Sequence, residues 1–358
     1  MNENAHRILL VRPEPRVLHA AAELGFEAWA SAAVHAEQLA AAARAHRVAH
    51  ILYFGRSPVL WRAAQRASDR VFPARAQVLG RLRDPAALRR ILNQSGVSRV
   101  EAVTVPSPDI ARAWLEHLVP PRVVKTVDGQ RSDIVRGSEG LARWAAGTPP
   151  VSCVIEELLV GPCLIVDSVS RAGMHHIVGM TGGRGATPAG VDLLYPAAPL
   201  PSRDAAAVRS VVRALLDLVG HEEGLMRTDV VLTGDGPRVA AVHLPSAADA
   251  VARLTQAATE RPAETEILAR LAGRPQPRRE PARYAALARL DCPAMALPHA
   301  ADLDVLRAMA DVRDVRVVGG AHSGIRIEAI VQADAPLTVA HRLAAVRERW
   351  AALSLPGR

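Results

Sequence analysis

Pro121-Arg122-Val123-Val124-Lys125-Thr126-Val127-Asp128-Gly129 reads as a short apolar strand that ends in an ammonium and opens into a polar, Gly-containing loop. Lys125 is the only lysine among the 44 Lys+Arg residues of this 358-residue chain; the other 43 are arginine. Arginine offers a rigid planar fork, whereas lysine offers a compact point charge on a flexible stem, so a site shaped for one rejects the other. An ammonium at a strand end, followed by a loop rich in backbone N–H groups, suits a phosphate oxygen. The plainer alternative is a surface lysine that the arginine bias left behind.

Composition narrows the classes around that stretch. The length predicts two or three domains. Apolar residues make up 49% and charged residues 22%, the balance of a soluble globular protein. Aromatics are only 3%, so Ala, Leu and Val must fill the core. The net charge of +8 and the pI near 10.4 raise nucleic acid as a partner. Against it, the arginines are dispersed, as at Arg62, Arg66, Arg70 and Arg75, and few aromatics are present to stack on bases. The one basic cluster, Arg274-Pro-Gln-Pro-Arg278-Arg279, reads as a linker, so no nucleic acid is expected. Cys153, Cys163 and Cys292 are odd in number and far apart, which predicts neither a metal cluster nor a disulfide framework and fits a reducing cytoplasm. No signal peptide and no membrane span are expected.

The pattern along the chain predicts β-α-β-α at the start: strands over 7–12 and 48–54, helices over 15–24 and 34–46, and a further helix near 58–69. The turn Arg12-Pro13-Glu14-Pro15 has no glycine, which disfavours dinucleotide binding there. Asp84 caps a helix over 85–95 that stops at Gly96. A strand over 122–126, a helix over 138–146 and a strand over 151–159 follow. A hairpin is expected over 163–169 and 175–181, and a mobile Gly/Pro-rich loop over 182–202. A helix over 204–219 and a second hairpin across Gly234-Asp235-Gly236-Pro237 come next, then a helix over 247–258. The tail reads as a small α+β unit, with strands near 284–289, 314–319 and 324–332 and helices over 301–311 and 338–353.

Taken in order, these pieces resemble the ATP-grasp superfamily, and within it the carboxylate–amine (L-amino acid) ligases. The strand bearing Lys125 resembles the strand whose lysine meets ATP phosphates. Gly129 to Ser132 resembles the flexible phosphate loop. Val154-Ile155-Glu156-Glu157-Leu158-Leu159-Val160-Gly161 resembles the hinge that holds adenine and ribose. Leu225 to Pro237 resembles the strand with an acidic metal ligand, and Arg238 to Asp249 falls on a Glu-x-Asn-x-Arg stretch followed by Gly-Gly-Asp. The resemblance implies a mixed α/β and α+β fold. Residues 1–83 would form an N-terminal parallel α/β domain. Residues 84–260 would form a central grasp of two α+β subdomains (84–160 and 161–260). A linker over 261–280 would lead to a C-terminal lid over 281–358. It implies ATP with Mg2+, a carboxylic acid and an amine such as an amino acid as substrates, and a homodimer. It places Lys125, Gly129, Ser132, Glu156, Glu157 and Leu159 on the nucleotide and Asp229 on the metal, with Arg184 and His243 near substrate. The chemistry implied is attack of a carboxylate on the γ-phosphate, then capture of the acyl phosphate by the amine, with an arginine stabilising the transferring charge.

The chain departs from that pattern where the chemistry is concentrated. The second acidic ligand falls on Ala241, the asparagine on His243 and the arginine on Pro245. No glutamate lies between Glu223 and Glu260, so a shifted alignment cannot restore the ligand. The loop has Gln130 and Asp133 where glycine is preferred, and an Asp there repels a triphosphate. Two functions therefore stand: a ligase forming an amide or dipeptide-like bond, of the kind made in specialised metabolism, and a degenerate ATP-grasp protein that binds nucleotide or a small acid without turnover and acts as a partner or regulator. Other motifs weigh less. His175 and His176 point to opposite faces of a strand and cannot share a metal. His221-Glu222-Glu223-Gly224 lacks the second His of a zinc-protease helix. Gly182-Gly183-Arg184-Gly185 resembles an anion-binding loop, and Gly319 to Gly324 reads as a plain hairpin turn.

Overall fold

The computed structural model describes residues 6–13, 15–33, 35–53, 60, 63–64, 71–72, 78, 81–82, 84–117, 121–127, 131–148, 151–245, 249–261, 263–274, 281, 283–292, 298–320 and 324–354. The first unit is a parallel sheet of β1 (Arg7–Val11), β2 (Glu27–Ser31), β3 (His50–Leu52) and β4 (Val71–Phe72), in the order β2-β1-β3-β4. Helices α1 (Pro15–Glu23) and α2 (Ala36–Ala45) connect its strands. Side chains alternate across a strand, so the run Ile8-Leu9-Leu10-Val11 serves two cores. Ile8 and Leu10 pack with Val17 and Ala21 of α1, whereas Leu9 and Val11 pack with Leu39 and Ala43 of α2. The helix expected near 58–69 falls largely outside the described residues.

Helix α3 (Pro85–Ser95) begins as its sequence dictates. Asp84 Oδ1 accepts the N–H groups of Ala86 and Ala87 at 2.8 and 3.2 Å, and Gly96 closes the helix at φ +75°. A four-stranded antiparallel sheet follows, in the order β5-β8-β6-β7, made by β5 (Ala102–Val105), β6 (Arg122–Thr126), β7 (Ser132–Val135) and β8 (Cys153–Glu157). Val105, Val124, Val135, Cys153 and Ile155 point to one face. There they pack on Ala111 of α4 (Pro108–His117) and Trp144 of α5 (Ser138–Ala146). The same alternation turns Lys125 and Glu156 to the other face.

The rest of the chain builds one eight-stranded antiparallel sheet, β13-β12-β9-β10-β11-β14-β16-β15. Its strands are β9 (Cys163–Arg171), β10 (Met174–Gly182), β11 (Leu193–Tyr195), β12 (Gly224–Thr233), β13 (Gly236–His243), β14 (Tyr284–Asp291), β15 (Val312–Gly320) and β16 (Gly324–Ala333). Helix α6 (Ser202–Val219) covers the β9–β13 half through Val208, Val212, Leu215 and Leu216. Helix α7 (Ala250–Thr259) lies against β11 and β14, and α9 (Ala300–Arg307) and α10 (Pro336–Leu353) cover the far half. Helix α8 (Ala263–Leu271) packs Ile267 and Leu268 on the face that also buries Ile8 and Leu10.

Two expectations are corrected here. The 182–202 segment is not a free loop: β11 lies within it and joins the two halves of the large sheet. It is tied down as well, because Arg347 of α10 donates to the Gly190 carbonyl at 2.8 Å and Asp192 accepts the Arg289 N–H at 2.6 Å. The tail strands do not form a sheet of their own, since β14 and β16 continue the sheet begun by β9 and β12. A strand of three residues flanked by Gly and Pro carries too little periodicity to be read from sequence.

Helix α6 ends at Gly220 (φ +69°), where the His221 N–H returns to the Leu216 carbonyl at 2.9 Å. That turn buries His221, and burial pushes its imidazole down to about 4. The folded state therefore favours the neutral ring. Its stabilising contribution is complete above the unfolded value near 6.5 and is lost as pH falls towards 4. We expect stability to drop between pH 7 and 4 by on the order of 3 kcal/mol through this group. Denaturant unfolding at several pH values will show that drop reduced in His221→Gln; equal slopes in both proteins would refute the assignment.

Candidate functional site

The two antiparallel sheets meet where β6 and β8 approach β13. Glu156 sits at the junction, 4% exposed. Lys125 Nζ donates to Glu156 Oε2 at 2.6 Å, and Arg89 Nε of α3 donates to Glu156 Oε1 at 2.9 Å. Both cations also reach across to the other sheet. Lys125 Nζ donates to the Ala240 carbonyl at 2.8 Å, and Arg89 Nη2 donates to the Val239 carbonyl at 2.9 Å. The Val239 N–H donates in turn to Ser98 Oγ at 2.8 Å. These β13 groups are free to do so because the β12–β13 register shifts there: Asp229 faces Ala241, but Val230 faces Val239, so Ala240 bulges out of the ladder. Arg89 and Lys125 share one carboxylate, which leaves the trio with one positive charge in excess. Arg89 Nη1 is buried without a hydrogen-bond partner, and Lys125 keeps 13% of its side chain exposed.

The other nucleotide candidates fall around this trio with different fates. Ser132 is the direct cross-strand partner of Lys125, so the two share a face, and Ser132 is exposed. It belongs to β7, in a hairpin pinned by Thr126 and Arg131, and not to a free loop as expected. Gly129 lies outside the described residues. Asp133 occupies the opposite face and pairs with Arg131 at 2.6 Å, which removes the expected repulsion of a triphosphate. Glu156 was expected to offer a free acceptor to adenine or ribose, but both its oxygens are engaged by Arg89 and Lys125. Glu157 is occupied by the sheet edge, its Oε1 accepting the Glu101 N–H at 2.8 Å. Leu159 is half-buried in the connection between β8 and β9. That connection is fixed against β12: a Cβ on Gly161 (φ +150°) would meet the Leu232 carbonyl oxygen at 2.1 Å.

The face of β9, β12 and β13 carries a row of charges. Arg227 lies directly across from Asp167 and donates to it at 2.7 and 3.1 Å, and to Asp249 at 2.6 Å. Burial disfavours the charge on Arg227, but Asp167 and Asp249 outweigh that and raise its guanidinium further. Asp249 also caps α7 by accepting the Ala252 N–H at 2.8 Å. The same strand brings Asp229 beside His243, with Nε2 3.0 Å from Oδ2, and this pair is open to solvent at 53% for His243 and 35% for Asp229. Arg184 is exposed, and the candidate anion loop around it is closed: the Gly183 N–H is spent on the Cys163 carbonyl and the Ala186 N–H on the Gly183 carbonyl. His175 and His176 do part to opposite faces, His175 joining Ser170 Oγ at 2.7 Å and Asp217 at 3.1 Å.

This set does not fit a pair of Mg2+ ions. Bridging two hard cations requires several carboxylate oxygens, yet Ala241 stands directly across from Asp229 and the neighbouring donor is an imidazole. Among the described residues, no group of three or more His, Cys, Asp or Glu is placed to hold a metal. Sequence reading missed Arg89, Ser98, Asp167 and Arg227. Nothing in the sequence marks Arg89 among 43 arginines; its position one turn inside the helix capped by Asp84 was the only available hint.

A parallel α/β unit, a small antiparallel sheet bearing the lysine, and a large antiparallel sheet facing it together constitute the ATP-grasp fold. The structure is similar along almost its whole length to an L-amino acid ligase from Bacillus licheniformis, with a TM-score of 0.75, 15% identity, and coverage of 96% of this chain and 97% of that one. It is similar to N5-carboxyaminoimidazole synthase from Aspergillus clavatus, solved with ADP and 5-aminoimidazole ribonucleotide, at a TM-score of 0.73 and 12% identity over 97% and 99% of the two chains. A biotin carboxylase from Campylobacter jejuni, solved as a βγ-ATP complex, gives 0.67 and 11% over 98% and 95%. At these identities the likeness is one of fold. No protein-family model matches the sequence, and no curated protein matches it. No helix among the described residues is long and apolar enough to cross a membrane.

Breaking a buried ion pair on one side strands a charge, at a cost of about 3–5 kcal/mol. Glu156→Gln is therefore expected to lower unfolding stability by about that much, because it leaves Arg89 and Lys125 without a counter-charge. Replacing Arg89, Lys125 and Glu156 together by Met, Met and Leu is expected to recover most of the loss. Urea unfolding of the three proteins measures both effects, and a single-mutant loss below about 1 kcal/mol would contradict the buried trio.

Proposed function

We propose that the protein binds an adenine nucleotide between its two antiparallel sheets, on an architecture of the carboxylate–amine ligase kind, and holds it without two-magnesium phosphoryl transfer. The observation that carries this is the trio at the sheet junction. Two cations share one buried carboxylate, and the surplus charge resides at an ammonium that still reaches solvent beside Ser132. Such a cluster attracts a phosphate, which would replace Glu156 or the Ala240 carbonyl as a partner of Nζ. The fixed β8–β9 connection at Leu159 supplies backbone groups for the adenine edge. The absence of an acid at Ala241 and of a cation at Pro245 supports binding over turnover. In this reading the protein acts on a partner or as a regulator.

A second reading, an active ATP-dependent ligase joining a carboxylic acid to an amine such as an amino acid, is favoured by the match over nearly the full length of both chains to an L-amino acid ligase. It requires Mg2+-dependent release of ADP. Calorimetry with ATP and ADP, in EDTA and in Mg2+, separates the two. We expect binding of similar strength in both media, weakened on the order of tenfold or more in Lys125→Ala and Lys125→Gln through loss of a charge-assisted hydrogen bond. Strict Mg2+ dependence, with ADP release on a panel of acids and amines above the level of Lys125→Ala, would establish the ligase instead. Absence of binding in either medium would overturn both.

A further inference from the structure

Resting on the nucleotide-binding reading above, we propose that the site selects a short phosphate chain and takes a nucleoside monophosphate in preference to the triphosphate. A monophosphate has no phosphoanhydride to cleave, which fits a regulator and not a phosphoryl-transfer enzyme.

The order of groups along the β12–β13 hairpin carries this. The fixed connection after Leu159 meets the hairpin at Leu232, where Gly161 lies against the Leu232 carbonyl. Along the ladder from that point, Val231 faces Arg238, Val230 faces Val239, and the bulged Ala240 gives its carbonyl to Lys125. Asp229 with Ala241 comes next, and Arg227 with His243 follows on the same face. A nucleotide with its base at Leu159 and its first phosphate at Lys125 therefore extends any further phosphates towards Asp229 and then Arg227.

The charge changes sign along that path. At Lys125 the trio has one positive charge in excess. A phosphate monoester carries about −1.5 to −2 charges at neutral pH, so the first phosphate already uses that excess. Beyond it, Asp229 stands beside His243, and Asp167 and Asp249 share the guanidinium of Arg227. Burial pushes the Asp167 carboxyl up; Arg227 pulls it down, and Asp249 and Asp229 push it up again as like charges. This stretch thus holds more negative charge than it balances. Other cations do not change that. Arg238 and Arg184 lie back on the base side, at the level of Val231 and Cys163. Arg253, one turn into α7 from Asp249, is committed to Asp314 and Glu328. Among the described residues no free cation remains for a second and third phosphate, and each of these brings a further negative charge towards Asp229.

The test is binding of AMP, ADP and ATP by calorimetry in EDTA, on wild type and Asp229→Asn, at low and high salt. Asp229 is partly exposed and its substitution keeps the side-chain shape, and a thermal melt checks the fold. We expect wild type to bind AMP on the order of tenfold tighter than ATP, with ADP between them, as like charges near a protein surface repel by about that much. We expect Asp229→Asn to tighten ATP several-fold and to leave AMP within about twofold. Added salt is expected to narrow the gap in wild type, because it screens accessible charges. ATP bound as tightly as AMP, or a ratio that stays unchanged in Asp229→Asn or in high salt, would overturn this inference and leave nucleotide binding standing. No binding of any of the three nucleotides would overturn both.

Discussion

One buried carboxylate sets the geometry of this protein. Glu156 is almost fully removed from water, so both its oxygens must be met by donors. Arg89 and Lys125 supply them, and neither belongs to the same element as Glu156 or as the other. Each cation also donates to a carbonyl of β13 in the facing sheet. The carboxylate thereby fixes a helix, two neighbouring strands and a strand of another sheet at one point. Because β13 bulges at Ala240, its carbonyls are offered sideways instead of to the β12 ladder. β13 is also the edge strand of its sheet, so backbone groups not spent on β12 face outward, and the bulge adds the Ala240 carbonyl to them.

The large sheet repeats the device with the signs reversed. There one cation, Arg227, is shared by Asp167 from the neighbouring strand and Asp249 from the start of α7. The first cluster carries an excess of positive charge and the second an excess of negative charge. Both are mostly buried, and both position elements against each other. The Asp229–His243 pair differs from them in exposure and in partners. It ties two neighbouring strands of one hairpin that the ladder already holds, so it contributes little to the fold. Exposed pairs of this kind are worth about 0–1 kcal/mol. Structural need thus explains the two buried clusters, and the surface pair adds little to them.

Much of the architecture could be read from local pattern. Asp84 and Gly96 mark the ends of a helix because capping is satisfied by near neighbours. The hairpin at Gly234–Pro237 and the alternation of Val124 with Lys125 follow equally from local rules. What could not be read was anything fixed by distant partners. The strand at Leu193–Tyr195 owes its pairing to β14, whose partner residues lie 90 to 94 positions on, and its own three residues say little. Glu156 looked available for a ligand because nothing nearby in sequence indicates that Arg89, 67 positions earlier, would reach it. In a chain whose cations are almost all arginine, which of them is buried against a carboxylate is a tertiary fact. The one lysine could be picked out only because it differed in kind.

The difference in kind has a geometric reason. Nζ of Lys125 bonds a carboxylate oxygen and a carbonyl oxygen at 2.6 and 2.8 Å, from opposite sheets. A tetrahedral ammonium can direct donors to two such points, whereas a planar guanidinium at the end of the same short reach would point its fork along one plane. Arg89 satisfies its own pair of acceptors from a helix, where a longer approach is available. So a lysine at this position has a structural use whether or not a phosphate ever binds. The identity of Lys125 is therefore weak support for nucleotide binding on its own. The stronger support is electrostatic: the fold needs one cation to neutralise Glu156 and provides two. The second positive charge is met by neutral carbonyls of β13 and by partial solvent exposure, and an anion entering between the sheets would meet it with a full opposite charge.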